Sequence, residues 1–548
     1  MEKLNAETRT IGAILKEEFF YRIPEYQRPF SWDTDNFEDL IDDVLEANKD
    51  QEYFLGTIVL HKQEKEGVYD VVDGQQRLTS MMVLLACLRD VVEKEKFKSD
   101  IQKKILQEED VVDNIPLKIR LEVKDRQLFS AVVVTAGGTS AVKDKSNLPE
   151  PEWRYINAVN IFRSRLKGLS QGEIEGLIRF ISQKCVVIFL ATHNFTVAFR
   201  LFTIVNDRGK QLRRIDILKA INIAPDVIIK TTVRNKISHE WEQFEKDLGE
   251  SKFEGIFHLV RLILLRDKPQ GDLLKEFEER IFDKKDGVTK GEAFFNLVFD
   301  YAKLYSSIFE ERDFVPEEKH EHVRYRALIH IMDSEFIASE WRACLLYFAK
   351  QFGPEKFYPF CLKMEKVYLA QWVKGMRKDE RYKDYSNILG TIRTSKKADD
   401  VLGAVSYDSA AIVAATQRPD LYNVGFAKYF LLHMELAVGE NDALKEFTPK
   451  SIEHVLPQTP KPTGYWAGKH DLGKIKEYVD SIGNLVLLSK GKNSSASNLG
   501  FPEKKKKYLE SRVSDYPRSI QVLGYSDWER KTIEDRTAEA KQLILQDP

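Results

Sequence analysis

At 548 residues the chain is too long for one hydrophobic core, so roughly two to four domains are expected. Its 43% hydrophobic and 31% charged residues are typical of a soluble protein, and no run approaches the roughly 18 consecutive apolar residues of a membrane span. The 84 basic and 86 acidic side chains leave a net charge of −2, which gives no support for a surface that binds nucleic acid as a whole, although a local basic patch would suffice.

The N-terminus and the cysteines indicate the compartment. The first residues carry no basic-then-apolar signal pattern, so we expect a cytoplasmic protein without a membrane partner. The four cysteines lie far apart without a CxxC pair, so we expect buried, reduced thiols rather than a disulfide framework or a zinc site.

The N-terminal region alternates short apolar runs with turn signals. Residues 52–62 and 68–72 are β-rich and bounded by charge or glycine, which predicts two strands, and residues 184–192 predict a third. The segment that starts at Leu78 has a broad apolar stripe and predicts a buried helix. We therefore expect an α+β domain over residues 1–230.

The rest of the chain changes character twice. Residues 231–400 repeat apolar side chains at three-to-four spacing, which predicts a helical middle domain without a motif of its own. The final region, 401–548, contains a predicted helix at 425–439. Two short strands follow this helix and precede another helix that starts near Phe501. The sequence thus indicates an α+β multidomain protein.

Polar residues collect at the ends of these last elements. Glu453 and His454 stand near the end of the first strand, Asn484 begins the second, and Asn493 lies in an Asn/Ser cluster that can cap the helix. Another histidine, His470, lies in a charged loop, where we expect it to be solvated. The order strand, strand, helix therefore places polar groups where a site could form.

This arrangement suits the hydrolysis of a phosphodiester. His454 can act as the base, because imidazole titrates near neutral pH. Glu453 and Asn493 offer the hard oxygen ligands that Mg²⁺ or Mn²⁺ prefers. Asn484 can hydrogen-bond backbone between the strands and hold the loop that orients His454, while the N-terminus of the following helix would face a phosphate. We expect Glu453, His454, Asn484 and Asn493 to be the catalytic residues, with Glu453 and Asn493 as metal ligands.

Two N-terminal motifs are polar as well. The sequence IPEYQRPFSW contains Gln27 and Arg28, whereas Tyr26 and Trp32 in it are expected to pack. The second motif is DGQQR, between a predicted strand and helix, with the residues Asp73, Gly74, Gln75, Gln76 and Arg77. A glycine at such a turn lets phosphate approach backbone amides, and arginine is a bidentate donor. The glutamines could equally cap the helix, so the residues alone leave both interpretations open.

The C-terminal motifs IEHVLPQ and IGNLVLLSKGKNSSASN, followed by Phe501, Lys504 and Tyr508, resemble the HNH or ββα-metal nucleases, in particular those of GmrSD-type (type IV, modification-dependent) restriction proteins. The separation of Asn484 and Asn493 equals that in the HNH domains of RNA-guided nucleases. The third position, often histidine in HNH sites, is Asn493 here, which favours magnesium over zinc or nickel and leaves Asn498 as an alternative ligand.

The N-terminal motifs, with FLGTIVL, are similar to the N-terminal domain of the same family, whose core has a ParB/sulfiredoxin-like fold. The resemblance implies nucleotide binding and hydrolysis (GTP, ATP or another NTP) at the residues Gln27, Arg28, Asp73, Gly74, Gln75, Gln76 and Arg77. A third matching stretch, residues 199–220, contains the polar group Asn206, Arg208, Gly209, Asp216 and Lys219.

Three functional hypotheses follow. The first is a phage-defence DNA endonuclease that nicks or cuts, in which the N-terminal domain senses modified DNA or uses nucleotide turnover to gate the nuclease. The second is a nucleotide-regulated binding protein with a degenerate nuclease domain. The third makes the N-terminal domain a ParB-like DNA clamp. The sequence leaves open the nucleotide, the DNA modification and the oligomeric state, including a homo-oligomer.

Overall fold

A computed structural model of the chain describes residues 5–16, 18–24, 27, 30–63, 67–112, 115–124, 126–140, 150–194, 197–199, 201, 213–224, 226–285, 287–318, 321–439, 450–489, 498–509 and 516–547. The chain divides into two compact units, Met1–Glu240 and Trp241–Pro548. The second unit contains both the predicted helical middle region and the predicted nuclease region. Our domain boundaries at 230 and 400 stay predictions.

The first unit contains a six-stranded mixed sheet. Its strand order is β1-β8-β3-β4-β2-β7, with β1/β8 and β3/β4 antiparallel and the other neighbours parallel. A separate pair, β5 and β6, is antiparallel. The strands are β1 (Asn5–Thr10), β2 (Phe20–Arg22), β3 (Tyr53–Lys62), β4 (Val68–Asp73), β5 (Leu106–Gln107), β6 (Lys118–Ile119), β7 (Leu121–Glu122) and β8 (Cys185–Thr192). The α+β prediction for this region is confirmed.

Local sequence explains how the helices of the first unit begin. Asp33 and Asn36 form a capping box before α2, and Ser170 and Glu173 form another before α7. Between them, α3 is apolar on nearly all sides and therefore lies buried in the core. The helices are α1 (Ile11–Ile14), α2 (Thr34–Glu46), α3 (Gln75–Val91), α4 (Glu95–Ile105), α5 (Arg126–Phe129), α6 (Glu150–Leu166), α7 (Gln171–Gln183) and α8 (Arg214–Ile223).

The second unit is mainly helical, as its apolar spacing predicts. The unit boundary falls inside α9, and the helices up to residue 438 are α9 (Thr231–Leu248), α10 (Glu250–Leu265), α11 (Leu273–Glu276), α12 (Glu292–Tyr305), α13 (His322–Glu335), α14 (Glu340–Phe352), α15 (Phe357–Val373), α16 (Lys378–Thr394), α17 (Ala398–Ala404), α18 (Ser409–Thr416) and α19 (Ala427–Val438). Within the described residues, no helix is both long and apolar enough to cross a membrane.

The last part of the second unit contains two strands followed by helices. Strands β9 (Lys450–His454) and β10 (Leu485–Ser489) pair antiparallel, and α20 (Phe501–Leu509), α21 (Pro517–Gln521) and α22 (Arg530–Leu543) come after them. A local hydrophobic core formed by residues that include Leu456, Trp466, Phe501 and Trp528 supports these elements. The four cysteines of the chain are buried and unpaired, as predicted.

Candidate active site

Glu453 and His454 end β9, and their side chains have different surroundings. In the antiparallel register His454 lies opposite Leu485 and Glu453 opposite Val486. Successive side chains of a strand point to opposite faces. Accordingly, Glu453 contacts α20, whereas His454 contacts the loop that precedes β10. The predicted order of strand, strand and helix is present, and it separates the two adjacent polar groups.

The Glu453 carboxylate is buried in an ion pair with Lys504 of α20. Lys504 Nζ donates to Glu453 Oε1 at 2.6 Å and to the carbonyl oxygen of His454 at 2.6 Å, while the Tyr508 hydroxyl donates to the same Oε1 at 3.1 Å. The exposed fraction is 5% for Glu453 and 1% for Lys504. Burial raises the pKa of Glu453 despite the opposing charge of Lys504. The hydrogen bonds from Lys504 and Tyr508 both go to Oε1.

Only part of the predicted metal site lies among the residues that the structure describes. Glu453 Oε2 is a hard oxygen donor that suits Mg²⁺ or Mn²⁺. The second predicted ligand, Asn493, lies outside the described residues, and Asn498 is exposed. Among the residues that are described, no group of three or more His, Cys, Asp or Glu side chains could hold a metal ion. The metal site therefore stays a prediction, and Glu453 is its one predicted ligand among the described residues.

The imidazole of His454 is held on one side and open on the other. Its Nε2 lies 2.8 Å from Asp480 Oδ1, and the ring of Tyr422 packs against it at 4.4 Å between centroids. Burial lowers the pKa of His454, although the hydrogen bond and charge of Asp480 oppose this. Among the described residues, no hydrogen bond reaches Nδ1. The lowered pKa of His454 favours the neutral imidazole, which can accept a proton at Nδ1.

Asp480 is the residue that sequence reasoning missed. It is 26 positions from His454 along the chain and reaches it only because the loop before β10 folds back. Gln458 Nε2 donates to Asp480 Oδ1 at 2.7 Å, and Asn423 Nδ2 donates to Oδ2 at 3.3 Å. The backbone amide of Tyr422 donates to the carbonyl oxygen of Asp480 at 3.0 Å. The one available signal was an acidic residue just before the IGN turn.

Asn484 uses its whole amide to fix the backbone beside His454. Its Nδ2 donates to the carbonyl oxygens of Val479 at 2.7 Å and Leu456 at 2.9 Å. Its Oδ1 accepts from the backbone amide of Leu456 at 2.8 Å and from Trp528 Nε1 at 3.0 Å. The expected backbone hydrogen bonds of Asn484 are therefore present, and they tie the segment after His454 to the turn before β10.

The expectation for His470 was wrong. The side chain is buried, with Nδ1 at 3.1 Å from the Tyr478 hydroxyl and Nε2 at 2.9 Å from the carbonyl oxygen of Trp528. Trp466 also packs against the ring. The loop is charged, but its aromatic residues fold over the imidazole and provide hydrogen bonds that replace water.

In the first unit, the DGQQR turn joins β4 to α3 through a left-handed glycine. Gly74 has φ 89°, and a Cβ there would lie 3.2 Å from the carbonyl oxygen of Thr57. Arg77 Nη1 donates to that same carbonyl at 2.9 Å. The guanidinium covers Gly56, which has φ 111° at a register shift in β3. Burial raises the pKa of Asp73, against the opposing effects of the Gly74 amide and Arg77.

The structure brings the two N-terminal motifs together. Gln76 Oε1 accepts from the backbone amides of Ser31 at 2.8 Å and Trp32 at 3.1 Å. Gln27 Nε2 donates to the carbonyl oxygens of Val71 and Val72, at 3.2 and 2.8 Å. These two glutamine side chains therefore connect the motifs by hydrogen bonds to backbone atoms.

Other predicted N-terminal residues are described only in part. Gln75 is buried, whereas Arg28 and Tyr26 lie outside the described residues. In the third stretch, Asp216 accepts from the Arg213 guanidinium at 3.0 Å at the start of α8, and Lys219 is buried. The remaining residues of that stretch, Asn206, Arg208 and Gly209, also lie outside the described part of the chain.

Two family models match the chain, one in each half. Residues 10–223 match the family model described as GmrSD restriction endonuclease, N-terminal domain, and residues 408–541 match GmrSD restriction endonucleases, C-terminal domain. The chain therefore belongs to the GmrSD-type restriction endonucleases, as its motifs implied. A restriction endonuclease acts on DNA, which makes DNA its partner. No curated protein matches the chain significantly.

Proposed function

We propose that the protein is a phage-defence endonuclease whose C-terminal site, of the HNH type, hydrolyses phosphodiesters in modified or phage DNA. One observation carries this proposal. The imidazole of His454 is bonded through Nε2 to Asp480, its pKa is lowered by burial, and Nδ1 has no hydrogen-bond partner among the described residues. That combination is what a general base needs. The family supplies the substrate class.

In the proposed reaction, His454 Nδ1 takes a proton from a water molecule while the water oxygen forms a bond to phosphorus. The bond from phosphorus to the leaving oxygen breaks, and that oxygen keeps the electron pair and takes a proton from solvent. The imidazolium then returns its proton to water. Asn484 acts through the backbone, because its four hydrogen bonds fix the segment that follows His454.

A divalent cation belongs to this proposal. Mg²⁺ or Mn²⁺ would be held by Glu453 and Asn493, and it would supply the positive charge that binds the phosphate and the leaving oxygen. Glu453 can keep its ion pair with Lys504 through Oε1 while Oε2 faces the cation. The Lys504 ammonium thereby holds the carboxylate in one orientation.

For the N-terminal unit we propose NTP binding and hydrolysis at the DGQQR turn, in a ParB/sulfiredoxin-like domain. Gly74 is the left-handed N-cap of α3, and Arg77 belongs to the first turn of the same helix, so the turn offers a helix N-terminus and a cationic residue to a phosphate. Gln27 and Gln76 hold the turn against the first motif. Nucleotide turnover would gate cleavage, so that host DNA is spared.

The nuclease proposal is tested by cleavage of unmodified, glucosylated-hydroxymethylcytosine and phosphorothioate DNA, with Mg²⁺ or with EDTA. We expect Mg²⁺-dependent cleavage that falls about 10²- to 10⁴-fold in His454→Ala. His239→Ala removes an imidazole that is exposed on α9 and serves as the matched control. Equal cleavage by His454→Ala and by the wild-type protein would refute the assigned base.

The gating proposal needs a separate measurement. Phosphate release from each NTP, followed with and without DNA, shows whether the first unit hydrolyses nucleotide and which one. We expect the Arg77→Ala variant to lose this nucleotide turnover and to cleave DNA at a rate different from that of the wild-type protein. Nucleotide turnover without cleavage of any DNA would instead favour a nucleotide-regulated binding protein with a degenerate nuclease domain.

A further inference from the structure

Asp480 occupies a position that links three segments around the proposed base. Its Oδ1 lies 2.8 Å from His454 Nε2 and accepts from Gln458 Nε2 at 2.7 Å. Its Oδ2 accepts from Asn423 Nδ2 at 3.3 Å, and its carbonyl oxygen accepts from the amide of Tyr422. Both carboxylate oxygens of Asp480 are therefore held by hydrogen bonds, and its backbone carbonyl is held by another. Such bracing holds a side chain in one rotamer.

We propose that Asp480 is the positioning residue of this nuclease, which holds His454 in the tautomer with the proton on Nε2 and the lone pair on Nδ1. The inference rests on the proposed nuclease function. An ionised carboxylate is an acceptor only, so a neutral imidazole facing it must place its proton on Nε2. The nitrogen that faces away from Asp480 is then the one that accepts the proton of water.

Asp480 also fixes the direction in which Nδ1 points. The Nε2 hydrogen bond restrains the ring from one edge, and Tyr422 packs against it in an edge arrangement at 63° between the ring planes. During turnover the negative charge of Asp480 stabilises the imidazolium that forms when His454 holds the proton. Asp480 acts through His454 and touches neither DNA nor the attacking water.

A purely structural role for Asp480 makes a different prediction. Asp480 also joins the 421–423 turn to the loop before β10, through Tyr422 and Asn423. If that were its whole role, its replacement would lower stability and the active fraction together, and an uncharged acceptor of the same shape would largely preserve activity. The two roles are therefore separable by the charge of the side chain.

The test compares the full-length variants Asp480→Asn, Asp480→Glu and the control Asp471→Asn, in which the replaced carboxylate is 64% exposed. Single-turnover and steady-state cleavage give kcat and KM for DNA, and thermal unfolding reports the fold. We expect Asp480→Asn to lower kcat at least tenfold, with KM changed by less than about twofold, because an amide can stabilise the wrong tautomer. Asp480→Glu should recover part of kcat.

A milder variant covers the case in which Asp480→Asn does not fold. Gln458 is exposed, so Gln458→Met removes one brace of Asp480 with little effect on packing. We expect a two- to tenfold (roughly) lower kcat and an unchanged melting temperature. Unchanged kcat in Asp480→Asn, or in Gln458→Met where Asp480→Asn does not fold, would overturn the positioning role alone, provided that the His454→Ala variant is inactive. Absence of cleavage by the wild-type protein would instead refute the nuclease proposal.

Discussion

The DGQQR turn of the first unit and the Glu453–His454 region of the second both match family motifs, yet they use polar side chains differently. In the turn, Gln27 and Gln76 are bonded to backbone of neighbouring segments. At the end of β9, His454 keeps one ring nitrogen without a partner among the described residues. A polar motif can therefore mark either the frame of a site or the group that reacts.

The same distinction runs through the C-terminal site itself. The side-chain amide of Asn484 makes four hydrogen bonds, three to backbone atoms and one to Trp528 Nε1. Glu453, in contrast, accepts from the side chains of Lys504 and Tyr508 through Oε1. Substitutions in each region test whether its residues act as frame or as reactive group.

The largest effect on stability is expected from Lys504→Met. The variant would leave Glu453 buried without the Lys504 ammonium, which should lower the free energy of unfolding of the second unit by about 3–5 kcal/mol. Chemical denaturation followed by tryptophan fluorescence measures this cost. Lys506→Met, at an exposed position of α20, is the control. Equal stability of the two variants would show that the ion pair contributes little to the frame.

Gly56→Ala tests the frame beneath the N-terminal turn. Gly56 has φ 111°, and an added Cβ would lie 2.8 Å from the Arg77 guanidinium carbon. Positive φ and the displaced arginine together should cost about 2 kcal/mol. Gly172→Ala, in a helix with no atom within 4 Å of the new Cβ, should be neutral or stabilising. The difference in melting temperature between the two variants measures the strain.

Gln76→Leu addresses the link between the two N-terminal motifs. It removes the acceptor for the amides of Ser31 and Trp32, which are partly buried, so we expect a loss of about 1–2 kcal/mol. Gln51→Leu, at an exposed site, is the control. If Gln76→Leu abolished nucleotide binding at unchanged stability, Gln76 would contact the ligand and our view of it as frame would be wrong.

The stability of the second unit should also depend on pH. Burial alone would raise the pKa of Glu365, but the nearby His433 and Lys366 and a hydrogen bond from Tyr429 lower it to about 2. Because the folded pKa is below the ordinary value of 4.5, this group stabilises the fold above about pH 4.5 and loses that contribution as pH falls towards 2.

The variant Glu365→Gln checks this sign. Its deficit in stability relative to the wild-type protein should shrink between pH 5 and pH 3, by at most about 1.4 kcal/mol per pH unit, the slope of one proton. The raised pKa of Glu453 acts in the opposite direction, since it favours the folded state more at low pH. The exposed Glu355→Gln is the control. A deficit that stays constant with pH would contradict the lowered pKa.

Much of the fold followed from local pattern. The strands at 53–62, 68–73 and 185–192 and the helical region after 231 lie where alternation and three-to-four spacing predict them. The spacing of apolar residues indicates which face of an element is buried, and that spacing can be seen in a short stretch of the chain. The places of Glu453 and His454 at the end of a strand, and of Asn484 beside the next strand, followed for a related reason, while their catalytic roles stay predictions.

Contacts across the fold needed the tertiary structure. The sequence determined that an imidazole ends β9 and that a lysine lies on the helix after β10. Only the folded chain brings Asp480 to His454, pairs Lys504 with Glu453, and brings the backbone carbonyl of Trp528 within hydrogen-bond distance of His470. Each of these contacts joins residues at least 26 positions apart, and a hydrogen bond depends on the position of both partners in space, which no spacing along the chain specifies.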